Sequence, residues 1–225
     1  HSAEQDSAPP LPLPDATVTT YQYALEPLAG ALRATTTVTD PLANSGRTFR
    51  DLQGRTLAVE ERDPNPILTT YQYDPIDQLR KVTDAQGNHT TLQYDLLGRR
   101  TQISSPDTGT TQLAYDPASN LIQRRTANLL ATPGAPAISY DYSFNRLTAV
   151  EYPQYPGNDV TYLYGDAALA GQPGNKAGRI TSVISQGATK LRKYGPLWEV
   201  TEETTTIYSD TPGANPETYV TKFTF

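Results

Sequence analysis

Four aspartates follow tyrosines at a near-fixed interval: Tyr73-Asp74, Tyr94-Asp95, Tyr115-Asp116 and Tyr140-Asp141, spaced 21, 21 and 25 residues apart. Carboxylates held about 5–9 Å apart hydrolyse glycosides, so a glycosidase is one chemistry this spacing raises. His89 is the only internal histidine, which excludes a metal site of several imidazoles and makes it the sole candidate for a Ser-His-Asp triad. No Gly-x-Ser-x-Gly elbow and no Asp-x-Asp-x-Asp-Gly loop occurs. Cysteine is absent, so thiol nucleophiles, zinc thiolates and disulfides go together. The pairs Arg99-Arg100 and Arg124-Arg125 are an anion site in principle. Neighbours along a strand point to opposite faces, however, which gives each arginine its own contact. The 15 tyrosines, recurring at one place per unit, would form rows able to stack on sugar rings or to cover an apolar sheet face. Packing is the stronger reading, because a sheet with one apolar face must cover it.

The aspartates have an equally plain structural reading, which the stretch Leu92 to Ile103 spells out. Leu92 and Tyr94 alternate with Gln93, the period-two pattern of a half-buried strand. Asp95-Leu96-Leu97-Gly98 is then a turn: Asp bonds its own backbone at the first position and Gly accepts the positive φ needed at the last. Arg99 to Ile103 carries the chain back, in the manner of a hairpin closed with a bulge. Pro106-Asp107-Thr108-Gly109 turns it forward again, and Asp84-Ala85-Gln86-Gly87 does the same in the preceding unit. About 21 residues therefore make two strands and two turns, and a fixed period of this length marks a repeat architecture. An acid that returns in each unit where a turn needs it is a turn residue first, and no catalytic residue is assigned.

The pattern Tyr-Asp-x-x-Gly-Arg, followed by an apolar residue and Thr or Ser, resembles the YD repeat of rearrangement hotspot (RHS) proteins. The match is fullest at Tyr94-Asp95-Leu96-Leu97-Gly98-Arg99. Tyr73-Asp74 has Asp77 in place of Gly, Tyr115-Asp116 has Asn120 after Ser119, and Asp51-Leu52-Gln53-Gly54-Arg55 keeps the turn without Tyr. Tyr140-Asp141 carries an extra residue before Asn145-Arg146, and Tyr164-Gly165 reaches Gly178-Arg179 only after a Gly/Ala-rich insertion. The resemblance covers roughly residues 18 to 225. It implies a shell that wraps a toxic C-terminal domain, as in the B–C parts of bacterial toxin complexes. It also implies release by aspartates near the shell's end, a segment not recognisable here. A second implication is a carbohydrate- or protein-binding adhesion module, as in teneurin-like proteins.

The expected fold is all-β: a long curved antiparallel sheet of tandem hairpins, a segment of a hollow shell. Residues 1–14, with Pro9, Pro10, Pro12 and Pro14, read as a mobile lead-in, and 15–225 as the repeat sheet, stopping inside a unit at Thr221-Lys222-Phe223-Thr224-Phe225. The absence of Met, at position 1 included, is expected of a chain that starts inside a longer product or after removal of a leader or tag. Leu25 to Ala34 admits a short helical turn. Thr35 to Asp40 is a strand closed by Asp40-Pro41 and Asn44-Ser45-Gly46. Ala127 to Ala137 is a longer loop, Gly165 to Gly178 a flexible one, and Ile180–Ile184 with Thr189–Tyr194 a hairpin around Gln186-Gly187. Glu199 to Tyr208, Thr-rich, is expected to be an exposed strand pair with Ser209 to Pro216 as its turn.

The net charge of −6 disfavours nucleic acid and anionic membranes as partners. No apolar run is long enough for a spanning helix, and no secretory signal is visible. No cofactor or metal is expected. The expected partners are the rest of the same shell and an enclosed toxin, with edge-to-edge association of the fragment through unpaired strands. Synthesis in the cytoplasm and delivery by a bacterial secretion route complete the expectation.

Overall fold

The structure, a computed structural model, describes residues 18–62, 65–165, 178–208 and 215–224. The proline-rich lead-in, the interior of the Gly/Ala-rich loop and residues 209–214 lie outside them. The chain divides into two compact units, His1–Thr91 and Leu92–Phe225.

The first unit holds β1 (Thr20–Leu28), β2 (Ala31–Thr39), β3 (Ser45–Arg50), β4 (Thr56–Arg62), β5 (Pro66–Tyr73), β6 (Leu79–Thr83) and the first half of β7 (His89–Tyr94). Each strand pairs antiparallel with the next in sequence. Two-fold alternation is plain along β7, where exposed and half-buried residues take turns. Thr35, Phe49 and Ala58 are cross-strand neighbours on β2, β3 and β4 and all three are buried. Tyr21, Tyr23 and Leu25, two residues apart on β1, are 60, 78 and 69 % exposed. The described residues leave that row uncovered, where packing of the aromatic rows was the expectation.

The second unit continues with β8 (Arg100–Ser105), β9 (Gly109–Tyr115), β10 (Leu121–Arg125), helix α1 (Ala127–Ala131), β11 (Ile138–Ser143) and β12 (Arg146–Glu151). A 3-10 turn (Pro156–Asn158) leads to β13 (Val160–Tyr164), β14 (Ile180–Ile184), β15 (Ala188–Tyr194), β16 (Val200–Ile207) and β17 (Glu217–Lys222). From β8 to β17 each strand again pairs antiparallel with its successor. The all-β antiparallel fold and the hairpin around Gln186-Gly187 are as the sequence predicts. Among the described residues no helix is long and apolar enough to cross a membrane.

Four local expectations are corrected. Leu25 to Ala34 holds no helical turn: β1 and β2 pair over nine positions, joined at Ala29 and Gly30 with φ of 48° and 82°. Two positive φ values make the tight hairpin whose twist matches its strands, and nine ladder pairs outweigh the helical preference of Ala and Leu. The turn after β2 is Asp40 to Asn44, with Ala43 at φ 66°, because Ser45 and Gly46 already pair with Thr39 and Val38. Ala127 to Ala137 is no simple loop but begins with the single turn of α1, whose Leu129 is buried. Gly109 makes room for it: a Cβ there would lie 2.6 Å from the Cβ of Ala127. Glu199 to Tyr208 holds one strand, β16, in place of a strand pair, and β16 pairs with β17.

Candidate functional site

Most of the residues that the sequence singles out gather at strand ends, one turn per hairpin, and the turns at Asp51, Asp74, Asp95 and Asp116 share one plan. In the Asp95 turn the backbone closes twice, Asp95 N–H donating to Arg99 O (2.9 Å) and Gly98 N–H to Asp95 O (3.0 Å). Gly98 has φ 79°. The Asp95 carboxylate fills the ring: Oδ1 accepts from Leu97 N–H (2.9 Å) and Arg99 N–H (3.0 Å), and Oδ2 from Arg99 Nε (2.7 Å). Asp51 repeats this with Gln53 N–H (3.0 Å), Arg55 N–H (2.9 Å) and Arg55 Nε (2.6 Å). Asp74 takes Ile76 and Gln78 N–H, but its Arg80 arrives two residues later, because Gln78 stands at the arginine's place. Asp116 closes with Asn120, whose amide replaces the guanidinium. The left-handed positions in these two turns are Asp77 (φ 67°) and Ser119 (φ 70°). Asn120, which tolerates that conformation, is one residue late and serves as the amide donor.

Electrostatics follow from these bonds. The Asp51, Asp74 and Asp95 carboxyls all lie below the ordinary 3.8. Desolvation is the largest single influence and pushes upward, but the backbone N–H groups and the guanidinium of Arg55, Arg80 or Arg99 together outweigh it. In Asp40, Asp84 and Asp116 the amide of Asn44, Asn88 or Asn120 leads the lowering. A general acid needs its carboxyl raised toward neutral pH. These are moved the opposite way, with both oxygens engaged in bonds.

Sequence reading missed what the arginines and tyrosines do for one another. Four turn arginines lie over the tyrosine ring that ends the strand pair after them: Arg55 over Tyr73 (5.2 Å to the centroid), Arg99 over Tyr115 (5.0 Å), Arg146 over Tyr164 (5.3 Å) and Arg179 over Tyr194 (5.5 Å). The same tyrosine hydroxyl donates to the carbonyl of the residue just after that arginine: Thr56 (3.0 Å), Arg100 (2.9 Å), Leu147 (2.8 Å) and Ile180 (2.7 Å). Each clamp thus joins a ring–cation contact of about 0.5–1 kcal/mol to a hydrogen bond of about 0.5–1.5 kcal/mol. Arginine also reaches the next turn, Arg55 Nη1 to Asp77 Oδ1 (2.6 Å) and Arg99 Nη1 to Asp116 O (2.7 Å). These four tyrosines therefore meet guanidinium groups of neighbouring hairpins, where covering an apolar face or stacking on sugar rings was the expectation. The signal in the sequence was Arg and Tyr 15 to 18 residues apart, within the repeat but off its visible motif.

Three units depart from the pattern. Tyr140-Asp141 makes no turn: Asp141 sits inside β11 opposite Ala149, and the reversal falls at Phe144 and Asn145, with φ of 49° and 60°. The chemistry moved because Asn145 accepts a positive φ and a two-residue hairpin needs two such positions. In the Tyr164 unit, Gly165 N–H donates to Arg179 O (2.9 Å) and Gly178 N–H to Gly165 O (3.0 Å), the same two closures with residues 166–177 between them. Tyr194-Gly195-Pro196-Leu197-Trp198-Glu199 is a unit the sequence reading passed over, since it has no Asp and carries its carboxylate at the far end of the turn. Gly195 N–H donates to Glu199 O (2.9 Å) and Trp198, at φ 73°, to Gly195 O (3.0 Å). Gly stands where Asp would, Glu where Arg would, and a Cβ on Gly195 would run into the Glu199 carboxylate. Glu199 fills the place of the missing aspartate side chain from the other end of the turn.

Elsewhere, His89 meets Thr83 Oγ1 through Nδ1 (3.1 Å), and Arg125 Nε donates to Ala135 O (2.9 Å). Among the described residues no group of three or more His, Cys, Asp or Glu is placed to hold a metal.

Residues 73–110, which include the Asp95 turn, match the family model of the RHS repeat. The chain carries an RHS repeat. No curated protein matches it. Among solved structures, the crystal structure of TcdB2-TccC3-Cdc42 is similar over 91 % of this chain and 13 % of that one, with a TM-score of 0.63 and 16 % identity. The Photorhabdus luminescens Tc holotoxin pore with a mutated TccC3 is similar over 87 % of this chain and 12 % of that one, at 0.62 and 18 %. TcdB2-TccC3 without the hypervariable C-terminal region of that complex is similar over 84 % and 12 %, at 0.55 and 15 %. The chain thus has the fold of a stretch of these proteins and spans about an eighth of their length.

Proposed function

We propose that this chain is wall: a structural, non-enzymatic stretch of a longer RHS shell, delivered from a bacterium, that encloses a C-terminal toxin domain. The observation that carries the reading is the Arg–Tyr clamp. Turn after turn, the repeated charged and aromatic side chains are spent on joining one hairpin to the next, and the repeated carboxylates are spent on their own turns. Residues 15–225 act on this reading as one repeat segment behind a proline-rich lead-in. Its partners are the remaining shell, which continues the sheet at unpaired strand edges, and the enclosed domain. The fold shared with toxin-complex proteins supports the reading.

Two experiments test it. Sequencing the gene region downstream is expected to find continued repeats followed by a variable domain beside a small immunity gene. A full-length product that ends without such a domain overturns enclosure. Light scattering on the isolated chain is expected to find association that grows with concentration, through open edges; a clean monomer at high concentration counts against the wall.

A further inference from the structure

In the second unit two tight turns are replaced, the β10–β11 connection by α1 and the β12–β13 connection by residues 152–159 with their 3-10 turn. Two strands apart in an antiparallel meander, these insertions stand at the same end. Insertions that break a repeat on one side are where such arrays build binding surfaces. Between them lies a cleft of about 200 Å³. Leu129, Tyr152, Pro153 and Tyr155 give it an apolar and aromatic lining, and Asn128 and Gln154 bring amides. No Asp, Glu, Lys or Arg lines it. Its walls are tied: Gln154 Nε2 donates to Thr132 Oγ1 (3.1 Å) across the cleft, and Tyr152 N–H donates to Asp159 Oδ1 (2.7 Å) to close the second insertion.

We propose that this cleft receives a proline-rich segment in the polyproline II conformation, and that the occupant is Pro9–Pro14 of a second copy of the chain. A polyproline II helix makes no internal hydrogen bonds, so it presents rigid proline and leucine faces together with unsatisfied carbonyl oxygens. Aromatic grooves with a few amide donors recognise that combination. The sequence Pro9-Pro10-Leu11-Pro12-Leu13-Pro14 places prolines three apart at Pro9 and Pro12 and repeats Leu-Pro twice. It is as free of charge as the cleft. Every pair of molecules therefore carries both halves of the contact. The inference is independent of the shell reading.

The test titrates a fluorescent peptide of residues Ser7–Asp15 with the full chain in which Pro9, Pro10, Pro12 and Pro14 are changed to Ser, so that its own segment does not compete. Saturable binding is expected, weakened at least about tenfold by Tyr155→Ala, a 1.4 kcal/mol loss, and abolished by Pro→Ser changes in the peptide. Tyr155 is 66 % exposed, so its removal leaves the sheet intact, which circular dichroism verifies. Sedimentation velocity of the wild-type chain is expected to reveal association that both Tyr155→Ala and the Pro→Ser chain reduce. No saturation up to about 1 mM peptide, or binding indifferent to Tyr155→Ala, overturns the site. Peptide binding alongside a wild type that sediments like its Pro→Ser variant overturns the second-copy source. Association through strand edges involves neither Tyr155 nor the prolines, so its success or failure is read separately.

Discussion

If Glu199 supplies from one end of its turn the carboxylate that aspartate supplies elsewhere, then Gly195 and Glu199 are a coupled exchange and must be changed together. Gly195→Asp alone puts a Cβ 2.6 Å from the Glu199 Cδ and 2.8 Å from Thr201 Cγ2, and sets a second carboxylate beside the first. Two like charges about 4 Å apart near a surface repel by up to ~4 kcal/mol, which swinging side chains reduce, so we expect a loss of about 1–3 kcal/mol. Glu199→Arg alone leaves a guanidinium with no turn carboxylate and is expected to lose about 0.5–1 kcal/mol. The double variant rebuilds the arrangement seen at Asp95 and Arg99. It should come within about 0.5 kcal/mol of wild type, a coupling of roughly 1–4 kcal/mol between the sites. Trp198, the single tryptophan, sits at the left-handed position of this very turn. Its fluorescence in a urea titration reports the local transition directly. Losses that add within about 0.5 kcal/mol would refute the exchange.

Other outcomes follow from the same turns. Tyr115→Phe keeps the ring under Arg99 but removes the donor to Arg100 O, and should cost about 0.5–1.5 kcal/mol in denaturant unfolding. Gly54→Ala meets open space, so its cost is backbone conformation alone at φ +83°, about 1–2 kcal/mol; a smaller loss would mean the turn relaxes. The six turn aspartates, Asp40, Asp51, Asp74, Asp84, Asp95 and Asp116, all have lowered pKa values. Their contribution is thus fully present above the unfolded value of about 3.8 and lost as pH falls through the lower folded values. Thermal melts should be flat in this respect above about pH 5 and drop steeply below pH 4. A melting temperature insensitive to that range would disconnect the carboxylates from stability.

Most of the fold was legible in the sequence because its signals are local. Alternation in Leu92-Gln93-Tyr94, Asp at the turn's first place and Gly98 at its last act within six residues, and strands and hairpins followed from them. What escaped depends on context. Ala29-Gly30 makes a tight hairpin only because nine strand pairs hold it. Tyr140-Asp141 spells the motif yet yields the turn to Phe144 and Asn145. Tyr194 to Glu199 makes the turn with Gly at the place of Asp and its carboxylate at the place of Arg, so a search by residue identity passes over it. The Arg–Tyr clamps join residues of different hairpins, and no single motif contains both halves.

The double closure at Gly165, Gly178 and Arg179 works as a grommet. Because two backbone bonds close the neck at Gly165, Gly178 and Arg179, the register of β13 against β14 does not depend on how many residues lie between Gly165 and Gly178. Lengthening such a passage twofold costs only about 0.6 kcal/mol of closure entropy. A hairpin sheet closed in this way can therefore gain or lose residues at such a neck, one hairpin at a time, without re-laying the strands on either side.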